Sequence, residues 1–504
     1  MMAESQARLV HEDERGAPAT DVPLLQKADL RGEIVQNTVA NLVGRGLALV
    51  FSTLAAALLA RYLGSEKLGQ YGAIYAYLSL FSWMATFGFE PVIVREASRD
   101  RKVASDLVRT GMVLSVFLSV GTVVVAVGVA PWVGYGDRLR SLLILAGLEY
   151  VLTPIRLPAV IFQIDMRQWY GSTINVVRQG VWLGIIITLW LLRASLPYVI
   201  GGRVLAALVE STLIWAYGRR FLVEKGKFLR DRAWMIFSHS FPIAFTGLLA
   251  MIYMRIDQVM LHDMTTDSVL GQYVAAVRVS ELFEMLPAAL MFTLAPVLAV
   301  SVADPQKFRS YTDQTFRYFM VAASGLCVFM TLGAGIIVRV LYGKQFLPAA
   351  PLLAVLIWSE IAVFFATVTL NVMIANGHQS LLPIPTLAGA AINIGLNLVL
   401  IPRYAAMGAA WATLVSYSLA WMGVLLFFKQ TRSITWQGIR FAVPIATVAL
   451  LAVKGATLAS ASVFPSILVG LFVFIVGALM IGCLKISDVS YFSAAVRGSL
   501  GKIT

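Results

Sequence analysis

The sequence predicts an all-α polytopic membrane protein of fourteen transmembrane helices, arranged as two six-helix repeats followed by two C-terminal helices. Three observations predict this class: an apolar composition, apolar runs of membrane-spanning length and an internal repeat. Of the 504 residues, 59% are hydrophobic and 13% are charged, whereas soluble domains are about 45–50% apolar and about 25% charged. This composition excludes a soluble enzyme.

Charge and cysteine content exclude several other classes. The net charge of +13 fits the Lys and Arg that collect in cytoplasmic loops of membrane proteins, so no nucleic-acid partner is expected. Two cysteines are too few for a disulfide framework, and no His or Cys spacing indicates a metal site. With no nucleotide-binding G-x-x-x-x-G-K-[ST] loop, energy is expected to come from an ion gradient, the membrane potential or the substrate gradient. No cofactor and no metal are expected. The first 33 residues show no short apolar core before a cleavage site, so the first apolar run is expected to stay as a helix.

Apolar runs separated by charge clusters, Gly and Pro define the helices in order. The predicted helices are 35–60, 69–92, 108–131, 141–163, 169–192, 197–218, 234–261, 270–299, 315–340, 350–376, 381–401, 406–428, 439–459 and 465–485. Gly377-His378 separates the tenth from the eleventh, and Pro402-Arg403-Tyr404 separates the eleventh from the twelfth. Each pair, if fused, would exceed one membrane span.

Loop charges predict the orientation of these helices. With the N-terminus in the cytoplasm, about 25 basic residues lie inside and about 9 outside. Because cytoplasmic loops carry the excess of Lys and Arg, both termini are predicted to be cytoplasmic, as in a multi-pass protein of the cytoplasmic (inner) membrane.

A repeat relates the two parts of the chain. Leu68-Gly69-Gln70-Tyr71 opens the second helix and Leu270-Gly271-Gln272-Tyr273 opens the eighth, an offset of 202 residues. Two further matches have similar offsets, namely Gly136 with Gly343, and Tyr198 and Gly202 with Tyr404 and Gly408. Helices 1–6 and 7–12 are therefore predicted to be parallel repeats, as in transporters that rock two halves around a central site.

This repeat sets the predicted domain organisation. The predicted parts are a cytoplasmic segment 1–33, a six-helix bundle 34–218, a basic linker 219–233, a second bundle 234–428, helices 13 and 14 at 429–485, and a tail 486–504. The linker carries six Lys and Arg residues. Such a segment favours contact with anionic membrane lipids, although an ordinary positive-inside loop explains it as well.

Six arginines fall within predicted spans, where each costs roughly 2.5–3.5 kcal/mol if it faces lipid. They are Arg45, Arg156, Arg178, Arg203, Arg255 and Arg278. Intramembrane acids available for pairing are Glu149, Glu210, Asp257, Glu281, Glu284 and Glu360. These arginines must therefore face a partner or a hydrated cavity.

Helical spacing predicts which of these charges pair. Arg278 and Glu281, three residues apart, can neutralise each other, and Glu149 and Arg156 lie on one face two turns apart. Arg255 and Asp257 are two apart and cannot pair. Arg203 lies at a helix start, where a side chain commonly extends to the membrane surface.

The predicted site is a hydrated cavity that is net cationic toward a phosphate-bearing substrate. Arg45, Arg178, Arg255 and Arg278 are its candidate wall residues, with Asn41 on the face of Arg45. Arg suits this role because its planar fork stays charged and matches phosphate oxygens. Candidate coupling or ion-pair residues are Glu149, Arg156, Asp257, Glu281, Glu284 and Glu360. The alternative is that these groups form inter-helix salt bridges that only fix packing.

Several motifs make residues 30–485 resemble the polysaccharide flippases of the multidrug/oligosaccharidyl-lipid/polysaccharide exporter superfamily. They are Asn41-Leu42-Val43-Gly44-Arg45-Gly46, Ala60-Arg61-Tyr62-Leu63-Gly64, Leu68-Gly69-Gln70-Tyr71, Leu341-Tyr342-Gly343-Lys344-Gln345-Phe346 and Gly408-Ala409-Ala410-Trp411-Ala412-Thr413. The 6 + 6 + 2 helix layout is similar too. The resemblance implies a non-enzymatic transporter that moves an undecaprenyl-diphosphate-linked oligosaccharide repeat unit to the outer leaflet by alternating access. It also implies a polysaccharide polymerase as a candidate partner.

Three alternatives stay open. The related lipid II flippases resemble this chain in having arginines on the first and eighth helices, where Arg45 and Arg278 lie. A cation-coupled multidrug or solute antiporter would need acids such as Asp257 or Glu360 to titrate. A membrane glycosyltransferase or polymerase would need a large outer loop, whereas the longest outer connector predicted is about ten residues.

Overall fold

The computed structural model describes residues 27–222, 226–459 and 462–485, and within these ranges the chain forms helices and turns without any strand. The α-helices are α1 (Lys27–Ser79), α2 (Ser82–Thr86), α3 (Phe89–Arg99), α4 (Ala104–Val129), α5 (Asp137–Val151), α6 (Thr153–Arg156), α7 (Val160–Ile164), α8 (Gln168–Leu191), α9 (Leu196–Gly218), α10 (Arg230–Met264), α11 (Asp267–Ser280), α12 (Met285–Ser301), α13 (Pro305–Tyr342), α14 (Ala349–Leu356), α15 (Ser359–Ala375), α16 (Pro383–Ser418), α17 (Lys429–Ala459) and α18 (Val463–Met480). Short 3-10 turns and one π-helical turn (Leu419–Gly423) connect or extend them.

Twelve helical stretches of the described chain are long and apolar enough to cross a membrane. Two of them contain a break in the helical backbone. Gly64 has φ +73° inside the stretch Val43–Ser79, and Ala405 has φ +47° inside Gln379–Phe427. These breaks fall where the sequence separates helix 1 from 2 and helix 11 from 12. The all-α polytopic class is confirmed, and the count of fourteen crossings stays a prediction.

Two helices begin about ten residues before their predicted starts. In α13, Asp304 caps the helix by accepting from the backbone N–H groups of Gln306 and Lys307, and Pro305 takes the first helical position. In α17, the segment from Lys429 continues the helix outside the apolar run. Charged residues end a membrane span but not a helix, since Lys, Arg and Gln favour helical backbone.

The predicted second helix, 69–92, is interrupted near its end. Phe87 and Gly88 both have positive φ between α2 and α3. A Cβ on Gly88 would lie 2.7 Å from Ile243 of α10, and the ring of Phe87 stacks on Phe237 with centroids 4.7 Å apart. The break therefore lets the end of the second predicted helix pack closely against α10.

The remaining packing joins residues that are far apart in sequence. Helix α1 packs along α8 and α11, α10 packs along α16, and α17 and α18 pack against α13. The linker approaches α4, where Asp106 accepts from the backbone N–H of Lys227 at 2.6 Å. The predicted segment 1–33, apart from residues 27–33, and the predicted tail 486–504 lie outside the described residues.

Candidate functional site

A cavity of about 680 Å³ lies between the predicted halves of the chain, which we call the first half (residues 34–218) and the second half (residues 234–428). Most of its wall comes from the first half, and α10 and α11 supply the facing side. Its charged lining residues are Glu90, Glu149, Arg156, Arg178, Arg203, Arg255, Arg278 and Glu281. Five arginines therefore face three glutamates, an excess of two positive charges on the wall.

In the first half, two of these arginines share one carboxylate. Arg156 Nε lies 3.5 Å and Arg178 Nε 3.4 Å from the two oxygens of Glu210. Ser211 Oγ accepts from Arg156 Nε at 3.0 Å. Arg156 Nη2 and Arg178 Nε are buried and lack a hydrogen-bond acceptor among the described residues. This cluster therefore has more donors than acceptors and keeps one net positive charge.

Arg203 and Glu90 are the charged cavity residues that the sequence analysis did not assign to the site. Arg203 Nε donates to Glu149 at 3.3 Å, its Nη1 donates to the hydroxyl of Tyr71 at 2.6 Å, and its guanidinium lies 3.9 Å from the ring centroid of Tyr75. The expected position of Arg203 at the membrane surface is wrong, because Arg203 lies two turns after the start of α9 at Leu196 and lines the cavity. Glu149 consequently pairs with Arg203, whereas Arg156 pairs with Glu210.

In the second half, Glu281 is the shared partner of two arginines. Arg255 Nη1 donates to Glu281 Oε1 at 2.6 Å, and Arg278 Nη1 lies 3.6 Å from Oε2. The pairing of Arg278 with Glu281 predicted from their spacing is present. The Arg278 side chain keeps 45% exposure, against 21% for Arg255. Arg278 is thus the more accessible cation of this wall.

Three further acids of the second half differ in their surroundings. Asp257 is buried, accepts from the Tyr273 hydroxyl at 2.5 Å and does not pair with Arg255, as its spacing predicted. Glu360 is 1% exposed; Ser280 Oγ donates to its Oε1 at 3.0 Å, and its Oε2 has no hydrogen-bond partner in the described chain. Glu284 is partly buried and has no ion pair recorded with it among the described residues.

Arg45 and Asn41 do not line this cavity. Arg45 is exposed and its Nε donates to Asn41 Oδ1 at 3.2 Å. Asn41 also bonds to Gln168 at 3.4 Å and to Ser172 of α8. Their contacts connect α1 to α8, so their part in substrate binding stays a prediction without support from the cavity geometry. No group of three His, Cys, Asp or Glu able to hold a metal occurs in the described part of the chain.

Apolar helices around a charged cavity between two parts of one chain define a multi-pass membrane protein with a transporter fold. The chain belongs to the polysaccharide biosynthesis protein family, whose profile matches residues 58–351.

This chain aligns with most of the length of two curated archaeal relatives. A protein of Haloferax volcanii named "Probable low-salt glycan biosynthesis flippase Agl15" is 22% identical over 407 residues, covering 78% of this chain and 82% of that protein. An uncharacterized membrane protein of Methanocaldococcus jannaschii is 22% identical over 396 residues, covering 71% of this chain and 77% of that protein.

Solved structures share the fold at low sequence identity. The lipid II flippase MurJ in an inward closed conformation has a TM-score of 0.65 at 14% identity, covering 89% of this chain and 98% of that chain. An inward-facing multidrug resistance MATE family transporter of the MOP superfamily has a TM-score of 0.60 at 13% identity, covering 80% of this chain and 98% of that chain.

Proposed function

We propose that this protein translocates an undecaprenyl-diphosphate-linked oligosaccharide repeat unit across the cytoplasmic membrane for surface polysaccharide biosynthesis, such as O-antigen, capsule or exopolysaccharide. The observation that carries the proposal is the convergence of five arginines from five helices on one cavity between the two halves. A diester diphosphate carries two negative charges and many acceptor oxygens. Arginine binds such groups through paired, charge-assisted hydrogen bonds.

The paired state of the arginines supports this proposal rather than opposing it. Two of the glutamate partners, Glu149 and Glu281, line the cavity together with their arginines, so a phosphate there can replace the carboxylate without leaving an arginine unpaired. The buried donors Arg156 Nη2 and Arg178 Nε already lack acceptors, and unsatisfied buried donors are costly. Arg178, Arg255 and Arg278 are the proposed diphosphate ligands among the residues predicted from sequence, and Arg203 joins them.

The proposal also includes the membrane location of the protein and its partners. We infer a location in the inner membrane with both termini in the cytoplasm, where the basic linker 219–233 contacts anionic lipids. Arg219, Arg220 and Lys227 of this linker are exposed or partly exposed. The relatives named as flippases support a lipid-linked glycan as the substrate, and a polysaccharide polymerase is the candidate protein partner that receives it.

The proposal predicts that the purified protein distinguishes lipids by their phosphate charge. Undecaprenyl diphosphate should raise the thermal unfolding temperature most, undecaprenyl monophosphate less, and undecaprenol not at all. A ligand at one hundred times its Kd stabilises by about 2.7 kcal/mol, which a thermal-shift measurement resolves. Equal shifts with diphosphate and undecaprenol would reject a phosphate site. Proteoliposomes loaded with a lipid-linked oligosaccharide or with lipid II then separate the proposed glycan substrate from that of a lipid II flippase.

A second candidate function, a cation-coupled multidrug or solute antiporter, has one favourable observation, the buried Glu360 with its unpartnered oxygen. The same group serves a flippase that couples transport to protons or another cation. We expect Glu360→Gln to lower the initial transport rate at least about tenfold and to flatten its pH dependence, because the amide keeps the shape but cannot exchange a proton. Transport rate against pH in proteoliposomes measures both effects.

The matched control is Asp137→Asn, which neutralises a fully exposed carboxylate at the start of α5. An unchanged pH profile in Glu360→Gln would remove Glu360 from coupling. Drug resistance restored to an efflux-deficient host would instead identify an antiporter.

A further inference from the structure

The repeated Leu-Gly-Gln-Tyr segments meet each other across the two halves. A Cβ added to Gly69 would collide with the carbonyl oxygen of Asp267, and one added to Gly271 would collide with that of Ser65. Ser65 and Asp267 differ by 202 residues, as Gly69 and Gly271 do. The contact is therefore reciprocal, as between two copies of a unit related by a two-fold axis. Glycine at both positions lets the two helices approach backbone to backbone.

Polar contacts between the halves surround this crossing. Ser65 Oγ and Ser268 Oγ are 2.9 Å apart. Arg61 Nε donates to the carbonyl oxygen of Leu341 at 2.9 Å, and Gln345 Nε2 donates to the carbonyl oxygen of Arg61 at 3.3 Å. These bonds join the junction between the first two predicted helices to the corners after α10 and α13. We call this set of contacts the glycine closure.

The tyrosine of each segment reaches from the closure to a charged residue beside the cavity. Tyr71, two residues after Gly69, accepts from Arg203 Nη1 at 2.6 Å. Tyr273, two residues after Gly271, donates to Asp257 Oδ2 at 2.5 Å, and Asp257 lies two residues from Arg255. Each half thus connects its closure glycine to one charged side chain through one hydroxyl group, to the partly exposed Arg203 in the first half and to the buried Asp257 in the second.

We propose that Tyr71 and Tyr273 are positioning residues that couple the glycine closure to two charged side chains, Arg203 of the cavity wall and the buried Asp257. The proposal rests on the proposed transport function, because it concerns how the glycine closure opens in response to an anion bound in the cavity. When the two helices part at Gly69 and Gly271, Tyr71 and Tyr273 move with them, because each tyrosine lies two residues further along the same helix. Arg203 then loses its hydroxyl partner and is freed for an anion. By reciprocity, an anion that binds Arg203 in place of Tyr71 favours the open closure.

The test measures opening of the closure directly. Ser65 is partly exposed in this structure, so in a Ser65→Cys variant a membrane-impermeant maleimide should react with the new thiol faster when the closure parts; the native Cys327 and Cys483 are buried. We expect Tyr71→Phe and Tyr273→Phe each to speed labelling about tenfold, since each removes a hydrogen bond to a charged group. In a Ser65→Cys/Ser268→Cys variant, oxidation can join the two thiols across the halves, and this crosslinked protein is the reference for the fully closed state.

Tyr77→Phe is the matched control, because the Tyr77 hydroxyl is buried in the same helix but donates to a backbone carbonyl, Ala126 O at 2.7 Å, and not to a charged side chain. Its labelling should stay within about twofold of the parent Ser65→Cys protein. Labelling that is unchanged in both tyrosine variants, or raised equally in the control, would overturn the proposal.

A second readout separates positioning from mere stabilisation. Undecaprenyl diphosphate should change the labelling rate of the Ser65→Cys protein, and this response should disappear in Ser65→Cys/Tyr71→Phe although the lipid still raises its unfolding temperature. A response that persists in the double variant contradicts the coupling. If the lipid fails to bind even the parent protein, the proposed substrate is wrong, while the tyrosine effect on labelling still decides the coupling.

Discussion

Arg255→Gln is expected to abolish transport, whereas Glu281→Gln keeps most of it. The two side chains form the shortest ion pair of the cavity wall, 2.6 Å, and both are only about one-fifth exposed. If the pair only fixes packing, either neutral substitution breaks it and both variants lose function alike. If Arg255 binds the substrate diphosphate, the two substitutions act in opposite directions. The charge of Arg255 is needed, and Glu281 competes with the phosphate for it.

The magnitude follows from the surroundings of the pair. Removing one partner of a buried, hydrogen-bonded charge pair costs about 2–5 kcal/mol, or roughly thirty-fold to several thousand-fold in an equilibrium constant. We therefore expect substrate affinity of Arg255→Gln to fall at least about thirty-fold. In Glu281→Gln, Arg255 and Arg278 both stay charged and the affinity for an undecaprenyl diphosphate lipid stays equal or rises. Titration of each purified variant with that lipid measures the difference.

Arg140→Gln provides the control for this comparison. Arg140 pairs with Asp137 at 3.1 Å at the exposed start of α5, away from the cavity lining, and its loss should leave affinity unchanged. Membrane insertion of all three variants is checked by their yield after detergent extraction. Equal losses in Arg255→Gln and Glu281→Gln would show a structural salt bridge and end the phosphate hypothesis for this wall.

Gly69→Ala is expected to abolish transport through a different route, the loss of the glycine closure. One added methyl group collides with the Asp267 carbonyl oxygen, and backbone atoms cannot rotate aside as a side chain can. The two helices must separate, so the closure stays open. We expect less than about one-tenth of wild-type transport, and faster maleimide labelling in the Ser65→Cys background, because alternating access needs both ends to close in turn.

The control for this substitution is Gly128→Ala in α4, where an added Cβ meets no atom within 4 Å. Alanine is favoured over glycine inside a helix by about 1 kcal/mol, so the local helix gains stability in both variants. Only the contact between the halves differs. Transport equal to that of Gly128→Ala would show that the closure tolerates the methyl group and that the close approach has no functional part.

The sequence determined the fold class, because composition and apolar run length are local properties that each segment carries by itself. It also located the breaks near Gly64 and Gly377 and the pairing of Arg278 with Glu281, since residues three apart share a helix face. The motif that forms the glycine closure was visible as a repeat. Its two copies, however, gave no sign from sequence that they touch each other.

Tertiary structure alone decided which charges meet across helices. Glu210 forms ion pairs with Arg156 and Arg178, and Glu149 forms one with Arg203. Arg45 donates a hydrogen bond to Asn41 on the exposed side of α1. Helical periodicity fixes the direction of a side chain relative to its own helix. It does not fix which helix lies opposite, which depends on how all the apolar faces pack together. The cavity and the hydrogen bond between Arg203 and Tyr71 therefore depend on how the helices pack together.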